Sequence, residues 1–423
     1  MASRLLWITV LLPHVQCLPW FGRNDPEVTM TVPQIVEHWG YPVEIYKAVT
    51  QDGYILELHR IPHGRNGPTT NGSRPVIFLQ HGLECSSSNW VTNLPEQSAA
   101  FVFADAGFDV WMGNMRGNKY SKRHVDFHPS SSRFWEFTWD EMAQYDLPAM
   151  INQALVVTGQ PHVYYVGHSQ GTLTMFSKLS TDPAFAQKIK MFFALAPVGS
   201  VKHIKGLFKT LVNDFTPEFT AWTKVFGAGE FYPNNWLTKA FSSAACANTV
   251  VQEELCKHFL FSIAGPGDKG LNKAIRMEEE PLLPFKFQSR IAVYLGHTPS
   301  GTSSMNILHW IQMVKTGTVA KFDYGEAGNL AKYGKDTPPL YNFKKIPSAL
   351  PIHIFTGGND WLADNEDING YLSPNIEHLQ GKTVLPEYNH LDFIWGLNAA
   401  RDVYHPIANH IIGQHFASIQ RRA

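Results

Sequence analysis

Short apolar runs recur along the chain between longer stretches of helical spacing, which predicts strands buried on both faces and helices packed over them. Val76-Ile77-Phe78-Leu79 is the first such run, and Phe108 to Met112 the second. Val163-Tyr164-Tyr165-Val166-Gly167 and Met191-Phe192-Phe193-Ala194-Leu195 follow, with Pro351 to Phe355 and Thr383-Val384-Leu385 much later. Tyr145 to Val157 has helical spacing, with Pro148 either starting a helix or kinking one. Strand alternating with helix is the pattern of a mostly parallel sheet covered on both sides, an α/β fold.

The pattern changes between about Ser200 and Lys321. Strand-like runs become rare, and aromatic, amphipathic stretches take over, carrying Phe208, Phe215, Phe219, Trp222, Phe226, Phe231, Tyr232 and Trp236. This predicts a mainly helical cap or lid inserted over the functional edge of the sheet, with most of these aromatics as cap core. The expected plan is a signal peptide over 1–17, a first part of the core over 18–200, the cap over 201–321 and a second part of the core over 322–423. Arg4, the apolar run Leu5 to Leu12 and Val15-Gln16-Cys17 have the layout of a secretory leader. That run is far short of the roughly 20 apolar residues a bilayer span needs, and no later uncharged stretch is longer. No transmembrane segment is expected, and the location is secreted or the lysosomal lumen.

Composition narrows the partners. With 423 residues, 44% of them hydrophobic, the chain can bury a large core, as one enlarged domain or as a core with a cap. Its 35 Lys and Arg against 36 Asp and Glu, with no basic block, give no support to nucleic-acid binding or a polybasic anchor. Of the 4 cysteines, Cys17 leaves with the leader, while Cys246 and Cys256, ten positions apart, suit a local disulfide in an oxidising compartment. Cys85 is then a free thiol. No CxxC or HExxH pattern occurs, so neither a metal nor another cofactor is expected. Asn71-Gly72-Ser73, in the polar loop Gly64 to Arg74, is the only glycosylation sequon.

The chemistry gathers on Gly167-His168-Ser169-Gln170-Gly171, a G-x-S-x-G at the end of a predicted strand and before a predicted helix. A nucleophile elbow needs that context, because a tight strand-to-helix turn lifts the serine oxygen above the sheet. The five-residue pattern alone is weak, and the flanking elements sharpen it. An acid and then a histidine should follow in chain order. Asp360 stands just past the predicted strand Pro351 to Phe355, with Asp364 and Asp367 as competitors. His390 follows Thr383-Val384-Leu385 and a turn-like Pro386-Glu387-Tyr388-Asn389, with His378 and His405 as competitors. For the oxyanion hole, Gln170 offers the backbone N–H after the nucleophile. Leu83, in Leu79-Gln80-His81-Gly82-Leu83, offers a second from the loop after an early strand. His81-Gly82 alone also reads as an ordinary turn.

At this point the chain resembles the acid lipase family of the α/β-hydrolase fold, the gastric and lysosomal type, from about Asp25 to Ile412. The resemblance rests on Leu79 to Leu83, Asn89 to Pro95, Ala104 to Asn114, Asp140 to Ala149, Gly167 to Thr172, Phe192 to Val198, Gly357 to Asp364 and His390 to Leu397. It implies the triad Ser169, Asp360 and His390, the donors Leu83 and Gln170, and a disulfide between Cys246 and Cys256. Departures from the family pattern are Met115, where a small polar residue is usual, and Glu84 and Cys85, where small or apolar residues are more usual. Residues Lys273 to Gln288 read as an insert in the cap. Three functions follow as expectations. The first is a lipase acting on triacylglycerols or cholesteryl esters at an emulsion or membrane-like interface. The second is a carboxylesterase for smaller soluble esters, and the third a catalytically silent lipid carrier, against which the complete serine, acid and histidine set argues.

Overall fold

The computed structural model describes residues 25–68, 74–231, 261–267, 275–276, 287–288 and 290–420. An antiparallel hairpin comes first: β1 (Glu44–Val49) and β2 (Ile55–Ile61), pairing Glu44 with Arg60 through Val49 with Ile55. Six more strands follow: β3 (Val76–Gln80), β4 (Asp109–Met112), β5 (Val163–His168), β6 (Ile189–Leu195), β7 (Ile352–Gly357) and β8 (Leu379–Leu385). They join one 8-stranded sheet in the order β1-β2-β4-β3-β5-β6-β7-β8. Strands β3 to β8 run parallel, and β2 meets β4 antiparallel.

All six runs predicted as strands are strands, and β8 begins four residues before the run that signalled it, at Leu379 rather than Thr383. The sequence reading missed β1 and β2. In β1 only Ala48 is buried and the rest alternate between half-buried and exposed, so no continuous apolar run marks an edge strand of this kind. Every residue of β3, β4 and β5 is buried, which is why those strands were legible.

Helices cover the sheet: α1 (Val32–His38), α2 (Ala99–Asp105), α3 (Leu147–Thr158) and α4 (Gln170–Thr181). After β6 come α5 (Gly206–Phe226) and α6 (Ser304–Thr316), and α7 (His405–Gln420) ends the chain. Pro148 lies in the first turn of α3 but does not begin the helix, since helical backbone runs unbroken from Trp139 through a π-helical turn over Met142–Asp146 into α3. Trp90, Trp111, Trp139 and Trp395 are among the largest fully buried side chains. Each large apolar side chain so buried contributes about 1.5–3 kcal/mol.

The stretch between β6 and β7 packs over the carboxyl ends of the strands. Val212 of α5 and Ile307 and Ile311 of α6 form a small cluster with Phe208, Phe231 and Leu83. A short ladder pairs Glu230–Phe231 with Thr302–Ser303. The side chains of Phe215, Phe219, Trp222 and Phe226 lie outside the described residues, as do Tyr232 and Trp236 altogether. So do the leader, the sequon Asn71 and both Cys246 and Cys256. Cys85 is a free, buried thiol, as expected, and burial pushes its pKa up to about 12. Among the described residues no helix is long and apolar enough to cross a membrane.

One buried cation ties the chain's start to its return. The Arg290 guanidinium donates to Asp25 (2.9 Å), to both carboxylate oxygens of Glu27 (2.8 and 2.7 Å) and to the Thr92 carbonyl (2.7 and 3.0 Å). Removing it would leave the Glu27 carboxylate, which is 2% exposed, without its cation. Arg290→Met should therefore cost about 3–5 kcal/mol and lower the melting temperature by several degrees. A loss under about 1 kcal/mol in thermal or denaturant unfolding would contradict this.

Candidate active site

Strand β4 lies on one side of β3 and β5 on the other, so the connections leave β3 in opposite directions. A crevice must open at that point, at the carboxyl ends of β3 and β5, and it is where open α/β sheets hold their ligands. The loop His81-Gly82-Leu83 enters it from β3, and Ser169 from β5.

Ser169 is the single residue between β5 and α4, and it makes the turn with φ 54° and ψ −120°. A non-glycine residue in such a conformation costs on the order of 1–3 kcal/mol and persists only where its surroundings fix it. They do so here. Ser169 N–H donates to the Leu195 carbonyl (3.1 Å), and its own carbonyl accepts from Thr172 N (2.8 Å) and Thr172 Oγ1 (2.7 Å). Close approach requires glycine at two positions. A Cβ on Gly171 would stand 2.5 Å from the Gln80 carbonyl oxygen, and one on Gly82 would stand 3.0 Å from Ser169 Cβ.

The loop after β3 is built on a neutral histidine. His81 Nδ1 lies 2.8 Å from the Gly82 carbonyl, while Nε2 accepts from Met115 N (3.1 Å) and faces Asn118 Nδ2 (3.2 Å). These contacts define the Nδ1–H tautomer, and burial lowers its pKa to about 4. His81-Gly82 is thus the turn that the sequence allowed, with a buried ring pinning it. Among the described residues no protein acceptor takes the N–H of Leu83 or of Gln170. The Gln170 side chain is held by the stretch above it: its Oε1 accepts from Asn306 Nδ2 (3.0 Å) and Trp310 Nε1 (2.7 Å).

Asp360 and His390 come from the loops after β7 and β8. His390 Nδ1 is 3.0 Å from each oxygen of the Asp360 carboxylate. Asp360 Oδ1 also accepts from Leu362 N (2.9 Å) and Ala363 N (2.8 Å), so three donors orient a carboxylate that is 2% exposed. The histidine loop is tied to the elbow, because His168 Nε2 lies 2.9 Å from the His390 carbonyl and must donate to it. Burial, with His390 nearby, lowers the His168 pKa to about 3 and keeps that ring neutral.

The competing residues are engaged elsewhere. Asp364 caps the short helix Asn365–Asp367 by accepting from Glu366 N (2.8 Å), and it pairs with Lys205 at 2.6 Å. Asp367 accepts from Ser200 Oγ and His203 N (2.8 Å each). His378 and His405 are exposed. Sequence reasoning missed Ala264, whose carbonyl accepts from both Trp361 N and His390 N (3.2 Å each) and so joins the acid and histidine loops. A backbone contact from a distant segment leaves no signal in residue types.

Beside His390, Asp392 accepts from Asn389 N (2.8 Å) and its other oxygen is buried with no hydrogen-bond partner among the described residues. Burial, helped by the Asp360 charge, pushes its pKa up to about 7. A carboxyl raised in the folded state gives its full stabilisation below the ordinary range near pH 4 and loses it as pH rises through about 7. Relative to Asp392→Asn, the wild type should therefore lose melting temperature between about pH 4 and 8. A difference that stays constant across that range would refute the shift.

The sheet and the elbow define the class. Residues 75–397 match the family described as alpha/beta hydrolase fold, and residues 32–94 match the partial alpha/beta-hydrolase lipase region. A solved putative lipase from Sulfolobus solfataricus is similar in fold, with a TM-score of 0.55 at 14% identity, covering 88% of this chain and 94% of that one. Lipase lipl-1 of Caenorhabditis elegans is 53% identical over 410 residues, 95% of this chain and 96% of that protein. Human gastric triacylglycerol lipase is 44% identical over 395 residues, 92% of this chain and 94% of that protein. The chain belongs to this lipase family of the α/β hydrolases, and is a carboxylic ester hydrolase.

Proposed function

We propose that the protein is a serine lipase that cleaves esters of long-chain acyl lipids, triacylglycerols or cholesteryl esters, through an acyl-enzyme on Ser169. The observation that carries this is the buried Asp360–His390 pair at 3.0 Å, tethered through His168 to the turn that carries Ser169. Ser169 Oγ attacks the ester carbonyl carbon as His390 takes its proton through Nε2. The carbonyl oxygen becomes an oxyanion held by the N–H groups of Leu83 and Gln170. His390 then protonates the leaving alcohol, and the acyl group stays on Ser169. Water enters, His390 takes its proton, and attack on the acyl carbon releases the fatty acid and restores the serine. Asp360 stays ionised throughout, holding the Nδ1–H tautomer and stabilising the imidazolium.

Support for an acyl substrate comes from the apolar cluster of Phe208, Val212, Ile307 and Ile311 directly against Leu83. A relative named for triacylglycerol supports the same class. We assign residues 201–321 as the cap, with the segment Phe208 to Phe241 as its lid. At a lipid surface the lid would turn its apolar side outward, gaining about 25 cal/mol for each Å² placed against lipid. The N-terminal leader, a Cys246–Cys256 disulfide and a glycan on Asn71 belong to the same proposal of a secreted or lysosomal enzyme.

Ser169→Ala should lower ester turnover by about 10⁴-fold or more and abolish fluorophosphonate labelling. Asp360→Asn should cost about 10⁴-fold through the wrong tautomer, and Asp364→Asn far less, since that residue is a helix cap. Persistent labelling at another serine, or a larger loss from Asp364→Asn, would overturn the assignments. Rates should also climb when a long-chain ester passes from dissolved to emulsified. Smooth saturation through the solubility limit would favour a carboxylesterase with a fixed cap instead.

A further inference from the structure

Each assigned oxyanion donor adjoins a residue in the left-handed region. Ser169, with φ 54°, immediately precedes Gln170, and Glu84, with φ 57°, immediately follows Leu83. Strained backbone holds its place only where neighbouring contacts over-determine it. Leu195 and Thr172 hold Ser169, but Glu84 and the Gln170 side chain are both held by one short stretch of the cap, Ser300 to Trp310.

The contacts are specific. Ser300 N donates to the Glu84 carbonyl (2.7 Å), and Gly301 N donates to Glu84 Oε2 (3.3 Å). On the other donor, Asn306 and Trp310 both donate to Gln170 Oε1, which is buried and so depends on protein partners for its lone pairs. Asn306 is itself fixed, since its Nδ2 also donates to Thr302 Oγ1 (3.1 Å) and its N–H to Ser303 Oγ (2.9 Å). Burial pushes the Glu84 carboxyl well above its usual range, with the Glu230 carboxylate adding to this and Lys122 opposing it.

We propose that Asn306 and Trp310 are positioning residues for ester hydrolysis, holding the Gln170 side chain so that its N–H keeps its aim only while α6 is seated on the elbow. This rests on the serine mechanism above and makes Ser300 to Trp310 a fixed part of the catalytic apparatus. A lid motion that carried α6 with it would dismantle the hole it was meant to open.

The test uses the full chain and a dissolved ester, p-nitrophenyl butyrate, so that interfacial binding does not enter. Gln170→Met keeps the backbone N–H and the side-chain length but removes the acceptor. Trp310→Phe keeps an aromatic ring and removes the N–H donor. Each should lower kcat by about 10-fold, less than the 10²–10³-fold typical of losing a donor outright, with KM within about twofold. The Gln170→Met/Trp310→Phe double variant should be no worse than Gln170→Met alone, because both act through one hydrogen bond. Unchanged kcat in folded Gln170→Met, a loss carried by KM alone, or losses that multiply in the double variant would overturn the proposal. Should Gln170→Met not fold, Trp310→Phe and Asn306→Ala, singly and together, read the same non-additivity through the shared oxygen. Ser169→Ala is the control. If it stays active the serine mechanism itself falls, whereas an inactive Ser169→Ala beside a fully active Gln170→Met overturns the brace alone.

Discussion

Everything at the functional edge depends on one constraint: the chain must reverse from β5 into α4 through a single non-glycine residue. Ser169 takes a conformation that L-residues avoid, and that conformation is what raises its side chain clear of the sheet. The turn is affordable only because Gly171 lets α4 lie against the Gln80 carbonyl, and Gly82 lets the loop after β3 pass the serine. A methyl group on Gly171 would collide with the Gln80 carbonyl, and one on Gly82 would crowd the Ser169 side chain. The switch in strand order at β3 and β5 sets this crowding, because it brings both loops to one crevice.

Around the turn, the site is held together by hydrogen bonds from residues other than Ser169, Asp360 and His390. The Ala264 carbonyl spans the acid and histidine loops, His168 fastens the histidine loop to the elbow, and Asn306 and Trp310 clamp Gln170 from above. Groups with catalytic geometry must be held to within a fraction of an ångström, which loops alone do poorly. Buried, fully oriented hydrogen bonds supply that stiffness, and they explain why so many polar groups are buried near the crevice.

The same burial splits the titratable groups into two sets. His81 and His168 are held neutral by desolvation, which stabilises the fold above about pH 6.5 and weakens it as pH falls toward 4 and 3 respectively. Asp392 and Glu84 are shifted upward by the same cause, and favour the fold at acidic pH. Around the crevice, two opposed sets of groups thus pull the pH dependence of stability in opposite directions.

The central strands were legible in the sequence because strands buried on both faces are written as continuous apolar runs. The elbow was legible because glycine, serine and glycine at fixed offsets meet a steric demand local to the chain. Asp360 and His390 were legible as candidates, since chain order and strand ends restrict the choice, but spacing alone left Asp364, Asp367, His378 and His405 in contention. What removed them was tertiary: Asp364 caps a helix, Asp367 binds Ser200 and His203, and both rival histidines point to solvent. The hairpin β1–β2 escaped because neither strand is a continuous apolar run: the edge strand β1 is largely half-buried or exposed, and β2 mixes buried with half-buried positions. Ala264, Asn306 and Trp310 escaped because their roles rest on contacts with residues far away in the sequence. A sequence encodes such contacts only through the packing that brings the residues together. Local periodicity and local sterics therefore determined the strands and the elbow, and only the folded chain decided which remote groups gather around it.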